Sequence, residues 1–197
     1  MKPYAESCEK NKEPILAVLR EHFADSQRVL EIASGTGQHA VYFCRHLPHL
    51  AWQTSELPDH HAGIQAWLDE ENLPNALPPL ALDVTDPNWP PGQFDAVFSA
   101  NSVHIMAWSS VERLFSGTQQ ILAKGGLLTL YGPFNYDGQF TSESNARFDA
   151  WLKARDPNSG VRDFEALDVL AKGQGLTLEH DISMPNNNRT LIWRQAR

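Results

Sequence analysis

The segment that most restricts how this chain can fold is residues 29–40, VLEIASGTGQHA: an apolar run, two glycines one residue apart, then a helical pattern. A strand that passes into a helix over G-x-G presents backbone N–H groups to a ligand, at a point where side chains would otherwise block it. Such a unit belongs to a parallel sheet, because the helix must return the chain before the next strand can run the same way. The first 130 residues repeat that alternation. Residues 12–24 place Ile15, Leu16, Leu19 and Phe23 on one helical face, RVLEIAS is the first strand, and HAVYFCRHL is the first crossover helix. LAWQTSE forms the second strand, closed by Glu56, and a helix through Ile64, Trp67 and Leu68 follows. LPPLALDV and FDAVFSAN are strands three and four, VERLFSGTQQIL is a helix stopped by KGG, and LLTLYGPF is strand five.

The pattern changes at about residue 135. Residues 135–160 turn polar around one helical stretch, SNARFDAWLKAR, and read as an insertion over the carboxyl edge of the sheet that lids a substrate. RDFEALDVLAKGQG is a further helix, and LTLEHDISM and RTLIWRQA, separated by PNNN, read as a terminal antiparallel hairpin. The expectation is a single α/β domain over 1–197: a Rossmann-like, seven-stranded, mainly parallel sheet with an antiparallel last strand and helices on both faces.

Charge and cysteine usage narrow the function. With 24 acidic against 16 basic side chains and a formal charge of -8, the surface field repels phosphate backbones, so no nucleic-acid partner is expected. Cys8 and Cys44 are too few for a disulfide framework or a thiolate metal cage. His60 and His61 adjoin Asp59, but neighbouring side chains diverge and no H-x-x-x-H follows, so no metal is expected. The charged N-terminus and the lack of any apolar run of 18 residues argue for a cytoplasmic chain without a membrane partner.

The acids around the glycine turn discriminate between cofactors. Read as G-x-G-x-x-A, the turn also fits a dinucleotide fingerprint, but Glu31, four residues before Gly35, would then face a pyrophosphate with a carboxylate. Glu56, 19 residues after Gly37, can accept both hydroxyls of a ribose. The spelling E-x-A-x-G-x-G resembles the first motif of class I S-adenosylmethionine-dependent methyltransferases, in which the acid helps hold the cationic methionine end. Asp83, at the end of the third strand, resembles the acid those enzymes set beside the adenine amino group. The resemblance implies a cofactor set of Glu31, Ala33, Ser34, Gly35, Gly37, Glu56, Leu57, Asp83, Val84 and Asn101. For each acid taken singly, a helix cap or solvated loop end is the competing explanation.

Further motifs are more specific. NKEPIL, LEIASGTGQHA, NSVHI, YGPF, TSESNARFD, VRDFE and MPNNN together resemble the methyltransferase-like 26 family, over a span from Asn11 to about Leu191. That resemblance implies S-adenosylmethionine as cofactor and leaves the substrate, expected to be a small molecule, open. Methyl transfer from a sulfonium is an in-line displacement that chiefly needs alignment and exclusion of water. His104, just past strand four, is the candidate general base, with Asn101 orienting the acceptor; NSVH lacks the proline-rich aromatic motif of nucleic-acid amino-methyltransferases. Tyr131, Phe134 and Asn135 follow strand five and are placed to face the methyl group, Tyr131 as a third catalytic candidate and Phe134 and Asn135 as substrate contacts. Asn145, Arg155, Arg162 and Asn187 are candidate substrate contacts, either arginine being able to grip a carboxylate or phosphate. The plainer alternatives are a structural histidine, core aromatics and mutual Arg–Asp pairs. Two other functions compete: a non-catalytic S-adenosylmethionine-binding module, and an NAD-dependent oxidoreductase, for which the chain lacks a Tyr-x-x-x-Lys pair.

Overall fold

Strand β1 (Arg28–Ile32), buried over its last four residues, stands near the middle of a seven-stranded sheet. β2 (Ala51–Glu56) and then β3 (Ala76–Ala81) lie on one side of it, all parallel. On the other side lie β4 (Phe94–Ala100) and β5 (Leu122–Gly132), also parallel, so the order reverses between β1 and β4 and leaves a crevice at the strands' carboxyl ends. After the short pair β6 (Phe134–Asn135) and β7 (Arg162–Asp163), β8 (Leu176–Met184) and β9 (Asn188–Gln195) form the expected hairpin. β9 inserts between β5 and β8, antiparallel to both, giving the order β3-β2-β1-β4-β5-β9-β8. This is the α/β Rossmann-like methyltransferase fold, seen here in a computed structural model that describes residues 2–196.

Two helical layers cover the sheet. α1 (Glu6–His22) and α2 (Gln38–His46) pack on the face that carries Val29, Trp52, Ala96, Phe98 and Ile192. α4 (Trp108–Ile121) and α6 (Phe164–Gly173) pack on the face that carries Leu30, Ile32, Val97, Leu128 and Trp193. α3 (His61–Glu71) lies beside α2 through Ile64, Leu68 and Val41. Alternation along a strand therefore decides direction: Glu31 and Tyr131 turn toward α1 and α2, whereas Ile32 and Gly132 lie on the α4 face. Among the described residues no helix is long and apolar enough to cross a membrane.

Local boundaries differ in three places. α1 begins at Glu6, six residues before the apolar periodicity, and runs through Pro14. Tertiary bonds hold its first turns, with Oε1 of Gln38 accepting from the Ala5 N–H at 2.5 Å and Asn11 paired to His39 at 2.7 Å, which offsets the donor that proline removes. KGG does not follow a loop; the helix passes directly into β5, and the glycines absorb a register shift against β4. A side chain at Gly126 would meet the carbonyl oxygens of Ala123 and Asp95 at 2.9 Å. β3 stops at Ala81, so Asp83 stands on the loop beyond the strand.

The polar segment contains α5 (Glu143–Arg155), capped by Ser142, whose hydroxyl accepts from the Asn145 N–H at 3.1 Å. It is sewn to the loop after β4: Gly160 N–H donates to the His104 carbonyl at 2.8 Å and the Ser159 hydroxyl to the Ile105 carbonyl at 2.7 Å.

Candidate functional site

A cavity of about 530 Å³ opens at the carboxyl ends of β1 to β4. Ala33, Gly35, Glu56, Leu57, Asp83, Val84 and Asn101, all expected from sequence, line it. Glu31, Ser34 and Gly37 do not; they build the turn from behind. Gly37, with φ at 89°, starts α2, and a β-carbon there would sit 3.1 Å from Cα of Ile64. The Ser34 hydroxyl accepts from Ser55 N–H at 3.1 Å, and its own N–H donates to the Ser55 carbonyl at 2.9 Å, fastening the turn to β2. Ala33 bends the chain into the cavity with φ at 57°, a left-handed conformation that a β-carbon disfavours.

The three acids separate by environment. Glu56 Oε1 accepts from the Leu57 N–H at 2.9 Å, which leaves the carboxylate at the cavity wall. Asp83 Oδ1 accepts from the N–H and hydroxyl of Thr85 at 2.8 and 2.7 Å, and these bonds hold its pKa below the usual carboxylate range. It is thus a turn cap and a cavity wall at once. Glu31 is 2% exposed on the opposite face of β1, where Oε2 accepts from Trp52 Nε1–H at 3.0 Å. Burial pushes its carboxyl up to about 7 against the lowering effect of that bond. Glu31 therefore stands behind the glycine turn and not in the cavity wall.

The predicted catalytic trio is divided. Asn101, with φ at 56°, lines the cavity, and His104 is buried three residues further on. Tyr131 lies across the sheet, where its hydroxyl accepts from Asn188 Nδ2–H at 3.0 Å. Of the predicted substrate contacts, Phe134 is fully enclosed in the core beneath α4 and α6, so it is a packing residue. Asn135 is buried, with Nδ2 directed to the Val161 carbonyl at 3.5 Å. Asn145 Nδ2 donates to the Asn187 carbonyl at 3.1 Å and Asn187 Nδ2 to the Ser144 hydroxyl at 3.2 Å, which ties α5 to the β8–β9 turn. Arg162 is spent on the backbone carbonyls of Val103, Met106 and Asn158. A guanidinium so engaged is a staple, not a free anion grip. Arg155 is exposed and lies 4.6 Å from the ring centre of Trp151.

Other wall residues were not expected at the site, although Ser102 and Ile105 belong to NSVHI. His60, Ser102, Ile105, Met106 and Ser110 enter the wall because the loops after β2 and β4 curl over it. Ile105, 59% exposed at the rim, is the kind of unshielded apolar side chain that could have flagged the site, but exposure is not visible in sequence.

Solved structures share this architecture. An O-methyltransferase family protein from Burkholderia thailandensis superposes with a TM-score of 0.85 at 18% identity, over 97% of this chain and 58% of its own. The mitomycin 7-O-methyltransferase MmcR gives 0.82 at 16%, over 95% and 54%. Human N-acetylserotonin methyltransferase, solved in complex with SAM, gives 0.81 at 12%, over 98% and 53%. The chain thus spans just over half the length of these proteins, and at such identities the likeness establishes the fold. The family model described as protein of unknown function (DUF938) matches residues 2–195, and the chain belongs to that family.

Proposed function

We propose that the chain is an S-adenosylmethionine-dependent methyltransferase acting on a small molecule. One observation carries the reading: Glu56 and Asp83 stand on the wall of one cavity with a glycine turn at its end and Leu57, Leu82, Val84 and Met106 around it. That set suits a nucleoside, with a diol for Glu56, a flat base between aliphatic side chains and an exocyclic amine near Asp83. Among the described residues no Lys or Arg lines the cavity, which favours a cationic sulfonium nucleoside over a diphosphate. Ala33, Gly35, Leu57, Val84 and Asn101 would complete the pocket, with Ser34 and Gly37 shaping the turn.

When bound, S-adenosylmethionine supplies an electrophilic methyl group; the chain's residues orient the acceptor and exclude water. Isothermal calorimetry tests the reading. S-adenosylmethionine and S-adenosylhomocysteine should both bind, and Glu56→Ala should weaken each by tenfold or more, the loss of charge-assisted bonds to a diol being worth about 1.5–3 kcal/mol. Heat with NAD and none with either nucleoside would overturn it. Transfer of labelled methyl to a component of cell extract separates an enzyme from a binding module.

A further inference from the structure

Residues 2–5 lie along α3 before the chain enters α1. Lys2 Nζ stands 3.5 Å from the ring centre of Trp67 and 2.6 Å from Oε2 of Glu70, and Trp67 Nε1–H donates to the Pro3 carbonyl at 2.8 Å. Pro3 is seated on Gly63 itself: a β-carbon there would lie 2.7 Å from its Cγ. From α3 the segment crosses to the glycine turn. The Ala5 N–H donates to Oε1 of Gln38 at 2.5 Å, and the same oxygen accepts from the hydroxyl of Thr36, between the two glycines, at 3.0 Å. Gln38 is 4% exposed, so water does not compete for that oxygen. α3 also backs the turn through Ile64, whose Cα would meet a β-carbon on Gly37 at 3.1 Å, and anchors β2 through His61 Nε2, 2.9 Å from the Glu56 carbonyl. One short segment thus ties together the two supports of the cofactor cavity, with Gly35 on the turn side and Glu56, Leu57 and His60 on the α3 side.

We propose that residues 2–5 are a clasp that sets how long the cofactor stays bound: docked, they hold α3 and the glycine turn together around the nucleoside, and cofactor enters and leaves through the undocked form. The assignment rests on the methyltransferase reading above. Each methyl transfer leaves S-adenosylhomocysteine in the cavity, so turnover requires release as well as binding, and a clasp held by few bonds suits both. The exposed Lys2–Glu70 pair adds little in water. The enclosed Ala5–Gln38 bond and the fit of proline on glycine carry the closure, and they amount to far less than the stability of the sheet, so the clasp opens while the core stays folded. The coupling is reciprocal: an occupant that the docked form holds more tightly must itself hold the clasp shut.

Gly63→Ala tests the clasp in the full chain. It drives Pro3 off α3 without altering any residue of the cavity wall, and alanine is the better helix former. Trp67→Phe, which removes the bond to the Pro3 carbonyl and keeps an aromatic ring under Lys2, is the milder second variant. Tritiated S-adenosylhomocysteine, chased with an excess of unlabelled compound, should leave Gly63→Ala at least fivefold faster than the parent, and Trp67→Phe faster by a smaller factor. Cys8, half-buried on the first turn of α1 with Sγ 3.9 Å from His39 Nδ1, reports on the docked form. Its alkylation by iodoacetamide, read by mass spectrometry of the Cys8 peptide, should slow at least fivefold when the parent is saturated with S-adenosylhomocysteine. Dissociation as slow in both variants as in the parent, or Cys8 alkylation that the saturating nucleoside does not slow, would each overturn the clasp and leave cofactor binding intact. If S-adenosylhomocysteine does not bind the parent at all, the cofactor reading falls and the clasp with it.

Discussion

At the scale of single residues, the glycine turn holds one position against its preference. Ala33 adopts φ of 57° where a left-handed backbone favours glycine. Ala33→Gly should raise stability by about 1 kcal/mol, read as a higher urea midpoint at constant slope, because the strain relieved exceeds the added freedom of the unfolded chain. Gly37→Ala should do the reverse, since it combines φ of 89° with a 3.1 Å approach to the backbone of Ile64. Glu31 is the other strained choice, here in charge. Its carboxyl is raised to about 7 by burial, so at pH 8 it is ionised in a dry site at a cost on the order of 3 kcal/mol. Glu31→Gln keeps an acceptor for Trp52 and should raise the thermal midpoint at pH 8 far more than at pH 5. An equal effect at both values would mean that the charge is not the source.

Between elements, neutral polar side chains form two straps. His39 at the start of α2 pairs with Asn11 of α1 at 2.7 Å, while Asn188 donates to the Tyr131 hydroxyl of β5 at 3.0 Å and Asn187 next to it bonds α5. NKEPIL and GQHA supply the first strap and YGPF, SNARFD and MPNNN the second, so motifs scattered in sequence fasten α1 to α2, and β5 and α5 to the hairpin turn. Tyr131→Phe removes the acceptor of the half-buried Asn188 amide, which keeps its bond to the Pro185 carbonyl, and should destabilise by about 0.5–1.5 kcal/mol in denaturant titration. A neutral outcome would mean that the second strap is solvated.

For the molecule as a whole, buried ionisable groups set a pH optimum. His39 and His104, lowered by burial from 6.5 to about 4, refuse protons that the unfolded chain accepts, so each subtracts stability as pH falls below 6.5. His22, lowered by burial and then by His180, acts in the same direction. Glu31 opposes them: its folded carboxyl keeps a proton up to about 7 against 4.5 unfolded, so its contribution is lost as pH rises through that window. Two strongly shifted histidines against one carboxyl leave a net loss of about 1.4 kcal/mol per pH unit on acidification between about 6.5 and 4.5. Thermal midpoints should peak near neutrality and fall toward pH 5; a rise over that interval would show that these histidines are not held neutral.

Periodicity and turn chemistry were enough to determine the sheet and the hairpin, and the methyltransferase resemblance added seven of the fifteen residues of the cavity wall. A strand's carboxyl end and a glycine turn are local events, and Glu56, Asp83 and Asn101 each sit at such an end. What only the tertiary structure decided is which face a residue serves. Side-chain alternation sends Glu31 and Tyr131 behind the sheet while Ile32 and Gly132 lie on the other face, and packing encloses Phe134. Arg162 was legible as a cation but not as a staple, because its partners are backbone carbonyls up to 59 residues away, and a carbonyl leaves no mark on composition or spacing.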